Sequence, residues 1–144
     1  MERRFRAAIV MVLALSAVAL AGDIDEGAKQ AFQGLSSSWS SESADGVCDA
    51  FPEGDAKVSF RLGEGADGSF SKDHAQGVLE SYFEKVSVVK VSLRKNGYNG
   101  GGKRYSATYD YKYSTPDGQE HTGLLQFSIE DQDGQWVLQS VSAD

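Results

Sequence analysis

Gly63-Glu64-Gly65-Ala66-Asp67-Gly68 spells G-x-G-x-x-G between an alternating apolar segment and a helical one, a pattern that can let backbone approach a pyrophosphate. Its own side chains oppose that chemistry. Glu64 and Asp67 would stand where phosphates must come, and the region that should supply a ribose-binding acid offers Lys90 and Arg94. The segment is a turn. Two oxygen-rich stretches, Glu64 to Asp67 and Glu130-Asp131-Gln132-Asp133-Gly134, lack the ligand spacing and closing glutamate of a calcium loop and fit solvated hairpin tips. One cysteine and two histidines exclude a disulfide framework and a Cys/His zinc module. The sequence implies no metal and no cofactor.

Acid–base catalysis needs a carboxylate or imidazole held in an apolar interior, where burial tunes its pKa. Asp110 alternates with the tyrosines of its strand and faces away from them. His121 sits at the edge of a turn, and His74 lies one residue ahead of its helix's apolar stripe. Asp49 and Asp55 flank the Phe51 turn with nothing to fix them at a site. No acid–base pair projects with the core residues, so the chain is read as leaning away from catalysis. Cys48 falls with Ala44, Val47 and Phe51 at helical spacing, which makes it buried filler rather than a nucleophile. Tyr105, Tyr109, Tyr111 and Tyr113 share one strand face, suited to packing against a helix with hydroxyls reaching the rim.

Behind these residues stand clear elements. Ile24, Ala28, Ala31, Phe32, Leu35 and Trp39 predict a helix over 23–40, and a short helix follows around Val47. Pro52 ends it, and Val58, Phe60 and Leu62 alternate as a strand. Ser71 caps a helix over about 72–86 whose stripe is Ala75, Val78, Leu79, Tyr82, Phe83 and Val86. Four strands close the chain: one on Val89, Val91 and Leu93, the tyrosine strand, one on Gly123, Leu125, Phe127 and Ile129, and Trp136 to Val141. Turns are expected over Asn96–Gly102, at Pro116-Asp117-Gly118 and at Asp133-Gly134. Links this short make antiparallel neighbours, and the whole is an α+β domain with helices against an antiparallel sheet.

Met1 to Arg6 carries three arginines, Ala7 to Ala21 is uncharged, and Ala19-Leu20-Ala21 offers small residues to a signal peptidase. A 15-residue apolar run is short of the ~20 residues a membrane-spanning helix needs. Residues 1–21 are therefore expected to be a signal peptide cleaved near Ala21, leaving 22–144 as a single exported domain, periplasmic or secreted. The 144-residue chain has 21 Asp and Glu against 14 Lys and Arg, a net charge of −7, and −9 once the leader's +2 is removed. Such a balance disfavours nucleic acid, and disfavours a membrane surface after cleavage.

Phe70-Ser71-Lys72-Asp73-His74-Ala75-Gln76 through Leu79, Tyr82 and Phe83, the Tyr105 hairpin, and Gly134-Gln135-Trp136-Val137-Leu138 resemble the nuclear transport factor 2-like superfamily, nearest to short exported bacterial proteins of that fold. The resemblance spans roughly 24–142 and implies three helices inside a strongly curved antiparallel sheet. A cystatin-like arrangement, one long helix across a meander, is the alternative; three helical segments count against it. These are packing residues, so the resemblance speaks to fold more than function. It implies an aromatic cone wall, on which Trp39, Tyr82, Tyr109, Tyr111 and Trp136 are the candidates to touch a small apolar ligand. It implies a homodimer through the outer sheet face, where Leu124, Val137 and Val141 mix with Lys90, Arg94, Asp110 and Glu130. The expected function is a non-enzymatic binding or assembly module. The alternatives are an isomerase or dehydratase using the cone, and a binder of small hydrophobic ligands in the cell envelope.

Overall fold

The computed structural model describes residues 24–144. The expected signal peptide and its cleavage site lie outside them. Asp25 starts helix α1 (Glu26–Ser40) by accepting the Ala28 N–H at 3.2 Å, and the face carrying Ala28, Phe32, Leu35 and Trp39 is buried. The serine-rich last turn holds because its carbonyls are closed off: the Glu42 N–H donates to Trp39 O and the Ser43 N–H to Ser38 O, with Glu42 in the left-handed region at φ 55°. Helix α2 (Ala44–Cys48) follows, capped by the Ser43 hydroxyl. Helix α3 (Lys72–Lys85) buries Ala75, Leu79 and Tyr82, and Val78 and Phe83 pack half-buried beside them.

The strands are β1 (Val58–Arg61), β2 (Asp67–Phe70), β3 (Ser87–Gly101), β4 (Arg104–Ser114), β5 (Glu120–Gln132) and β6 (Gln135–Ala143). They form one sheet in the order β2-β1-β6-β5-β4-β3. The last four are the expected antiparallel meander. β1 and β6 run parallel, with Phe60 opposite Val141, so the curved sheet is mixed rather than wholly antiparallel. The chain passes through α3 and four strands between them, a connection long enough for parallel alignment. β2 was not expected; its residues Asp-Gly-Ser-Phe carry no apolar alternation, and the turn before it brings them back onto β1. Among the described residues no helix is long and apolar enough to cross a membrane.

Two strands break the simple alternation. In β3 an extra residue between Val88 and Lys90 turns Val88 inward and leaves Val89 exposed, unlike the expected Val89–Val91–Leu93 face. Between Leu93 and Tyr98 the strand bulges opposite Thr108, with Asn96 at φ 58° and Gly97 so close that a Cβ would lie 2.7 Å from Thr108 O. The turn expected over Asn96–Gly102 is thus a bulge followed by more strand, and the chain reverses at Gly102-Lys103. In β6, Ser140 pairs with Ser128 but Leu138 with Ile129, leaving Gln139 extra. Alternation resets there. Val141, expected on the outer face, is 1% exposed and lies in the core beside Phe60 and Phe127.

Candidate functional site

The aromatic interior is assembled from α1, α3, β4 and β5. Trp39, at the end of α1, has ring centroids 5.8 Å from Tyr82, 5.1 Å from Phe83 and 5.7 Å from Phe127. The Tyr82 and Tyr111 hydroxyls meet at 2.9 Å in a buried hydrogen bond that either can donate. Tyr109 packs on Phe127 and donates to the Phe32 carbonyl at 3.4 Å. Burial pushes the Tyr109 phenol up to about 12 and raises Tyr111 as well. Tyr82 is displaced further upward, first by burial and then by Tyr111. The Trp39 indole N–H lies toward Tyr111, which opposes that phenol's shift, yet it makes no hydrogen bond among the described residues.

Three of the five candidate ligand residues, Trp39, Tyr82 and Tyr111, therefore meet; Tyr109 joins them through Phe127, which also packs on Trp39, and all four are buried. Trp136 stands apart, half-buried 5.6 Å from Tyr105, whose hydroxyl accepts the Asp25 N–H. A Cβ on Gly27 would lie 3.1 Å from the Trp136 indole nitrogen, so this end of the sheet seats the start of α1.

The titratable groups lie outside that interior. His121 stacks on Tyr113 at 5.0 Å and 19°, with its Nε2 3.4 Å from the Thr115 hydroxyl. His74 is exposed and rests edge-on against Phe70. Asp110 is exposed and pairs with Arg94 at 3.6 Å, and Asp49 and Asp55 are exposed. Among the described residues no carboxylate, imidazole, lysine or arginine is buried. Cys48 is buried, and burial pushes its thiol up to about 11, partly offset by Lys72. In the G-x-G-x-x-G turn the Gly63 N–H donates to Asp67 Oδ1 at 2.9 Å, so the loop's own acid occupies an amide that a phosphate would need.

Two depressions among the described residues lie on the surface. A shallow depression of about 470 Å³ opens on the outer sheet face beside Asn99, Ser106, Ser128 and Ser140. Those four are in register across β3, β4, β5 and β6, a polar row that sequence reasoning missed because it exists only once the pairing is set. Another, of about 400 Å³, lies between α2 and α3 beside Glu42, Asp45, Glu80 and Glu84. Among the described residues no group of three or more His, Cys, Asp or Glu is placed to hold a metal ion.

A curved sheet holding three helices, with an aromatic interior, defines a cone of the α+β class, and solved structures share it. The chain has the nuclear transport factor 2-like fold. A nuclear transport factor 2-like protein of unknown function from Burkholderia pseudomallei superposes with a TM-score of 0.64 at 11% identity, over 83% of this chain and 91% of that one. A DUF4783 family protein from Bacteroides uniformis gives 0.63 at 11% identity, over 78% and 94%. A putative isomerase from Rhodopseudomonas palustris gives 0.62 at 8% identity, over 85% and 92%. At such identities the likeness concerns the fold. No protein-family model and no curated protein matches the chain by sequence.

Proposed function

We propose that this is an exported, non-enzymatic binding module that works through its surface and not through an interior cavity. One observation carries the reading: the phenols of the cone are spent on each other and on backbone. Tyr82 and Tyr111 form a closed pair, Tyr109 is bonded to Phe32, and no buried acid or base stands beside them among the described residues. An isomerase or dehydratase of this fold would need such a group next to its substrate.

The test is a thermal-shift screen of the full chain against small apolar ketones, epoxides and hydroxylated aromatics, followed by turnover assays. A ligand at about 100 times its Kd adds about 2.7 kcal/mol and raises Tm by several degrees. No such rise and no turnover is expected. Saturable stabilisation lost on Tyr111→Phe would restore the pocket-binder reading, and turnover lost on His121→Ala would establish an enzyme. Export is checked by the mass of the mature protein, which should begin near Gly22; retention of Met1–Ala21 would refute it.

A further inference from the structure

Charge is unevenly spread along the chain. Residues 87–114, the β3–β4 hairpin, hold six of the 14 Lys and Arg and one of the 21 Asp and Glu, so the hairpin carries +5 in a chain of −7. β3 is also an edge of the sheet. The two exposed large hydrophobic side chains of the described residues, Val89 at 52% and Leu93 at 40%, both belong to it. Exposed Lys90, Arg94 and Lys95 stand around them. Arg94 pairs with Asp110, whereas Lys90 and Lys95 have no ion-pair partner among the described residues.

We propose that the Val89–Lys95 stretch of this edge docks an extended acidic segment of another protein, which adds to the sheet as a further strand. The proposal rests on the surface-binding reading above and names its partner class. An open edge offers backbone amides and carbonyls to any strand, and the side chains decide which strand is accepted. A second copy of this chain is refused at that edge, because pairing two β3 strands sets Lys90, Arg94 and Lys95 against their like. A segment alternating carboxylates with apolar residues neutralises those cations and covers Val89 and Leu93. The protein already contains one such contact: the Glu42 carboxylate accepts the Val88 N–H at 2.8 Å. That cap closes the edge at Val88, and the Leu93–Tyr98 bulge bends it at the other end; between the two irregularities Lys90–Leu93 runs as a short regular strand, with Val89, Arg94 and Lys95 flanking it.

The probe is a fluorescein-labelled peptide of about 10 residues alternating Glu and Val. Its control has the same acids with proline at the apolar positions, which cannot complete a ladder. Fluorescence anisotropy on the full chain should show the first peptide binding at least about tenfold more tightly than the second. Amide shifts should centre on Val89–Lys95, and Lys90→Glu/Lys95→Glu should weaken binding by about tenfold or more at unchanged Tm. Equal binding of the proline peptide, of duplex DNA or of anionic vesicles would reduce the patch to bulk charge and overturn the proposal. So would shifts centred elsewhere, self-association through β3, or no binding at about 1 mM peptide. Failure of the surface reading would look different: shifts at Trp39, Tyr82 and Tyr111 on adding an apolar compound.

Discussion

The Tyr82–Tyr111 pair can be tested by a double-mutant cycle. Each Tyr→Phe change removes a single oxygen, so the cavity it leaves is small and the cost lies in the hydroxyl left behind. A buried hydroxyl deprived of its partner costs about 1–3 kcal/mol, whereas removing both partners together is nearly neutral. Tyr111→Phe should therefore destabilise by about 1.5–2.5 kcal/mol, because Tyr82 keeps its oxygen and loses its only hydrogen-bond partner among the described residues. Tyr82→Phe should be milder, about 1 kcal/mol, because the Trp39 N–H lies toward the Tyr111 oxygen and can take up the freed lone pair. The double variant should lie within about 1 kcal/mol of the parent, a coupling of about 2 kcal/mol. Urea denaturation followed by circular dichroism reads these values at constant m. For a domain of this size 1 kcal/mol corresponds to roughly 3–6 °C in Tm. A double variant as unstable as the sum of the singles would show that the hydroxyls do not depend on each other. The closed interior would then lose its main support.

Three further outcomes follow from the same structure. The Cys48 thiol, pushed up to about 11, should react with a disulfide reagent at pH 8 about 100-fold more slowly than an ordinary thiol, with the difference vanishing in urea; prompt native labelling would put Cys48 at the surface. Gly100→Ala should destabilise by about 2 kcal/mol or more, since Gly100 has φ 116° and a Cβ there would lie 2.5 Å from Arg104 O, whereas Gly101→Ala meets open space and should be nearly silent in the same melt. Stability should be full below about pH 10 and fall as pH rises above it, because the unfolded phenols ionise there while Tyr82, Tyr109 and Tyr111 stay protonated in the fold. Each such phenol contributes about 1.4 kcal/mol per pH unit until its own folded pKa, about 12 for Tyr109, is passed. Flat stability from pH 9 to 11.5, measured by urea melts, would mean that the phenols are solvated.

The helices and the meander were readable because large apolar side chains mark them locally. Phe32, Leu35 and Trp39 repeat at helical spacing, and Tyr109 and Tyr111, like Leu125 and Phe127, repeat at strand spacing; each finds the core side its period assigns. What could not be read depends on single residues or on pairing between distant segments. Gln139 is one extra residue in β6, chemically unremarked, yet it moves Val141 from the outer face to the core. The extra residue between Val88 and Lys90 in β3 leaves Val89 outward in the same way. β2 exists because Gly63, Glu64 and Gly65 take positive φ and fold Asp67–Phe70 back onto β1, a fact of turn geometry and not of hydropathy.

The candidate site divides along the same line. That the tyrosines of β4 face the helices follows from period-2 alternation, but their partners do not: Tyr82 and Tyr111 are 29 residues apart and meet only when α3 crosses the sheet. The charge pattern was available in the sequence all along and was hidden by summing it. A total of −7 describes only the averaged field away from the surface, and salt screens most of that beyond a Debye length of about 8 Å. At contact the β3 cations left unpaired among the described residues, Lys90 and Lys95, decide, and they lie on an edge strand whose exposed apolar residues already need covering. An acidic partner would then gain nothing from long-range steering and everything from fit. Discrimination would fall on the pairing of side chains along Val89–Lys95, and so on how long a partner stays rather than how fast it arrives.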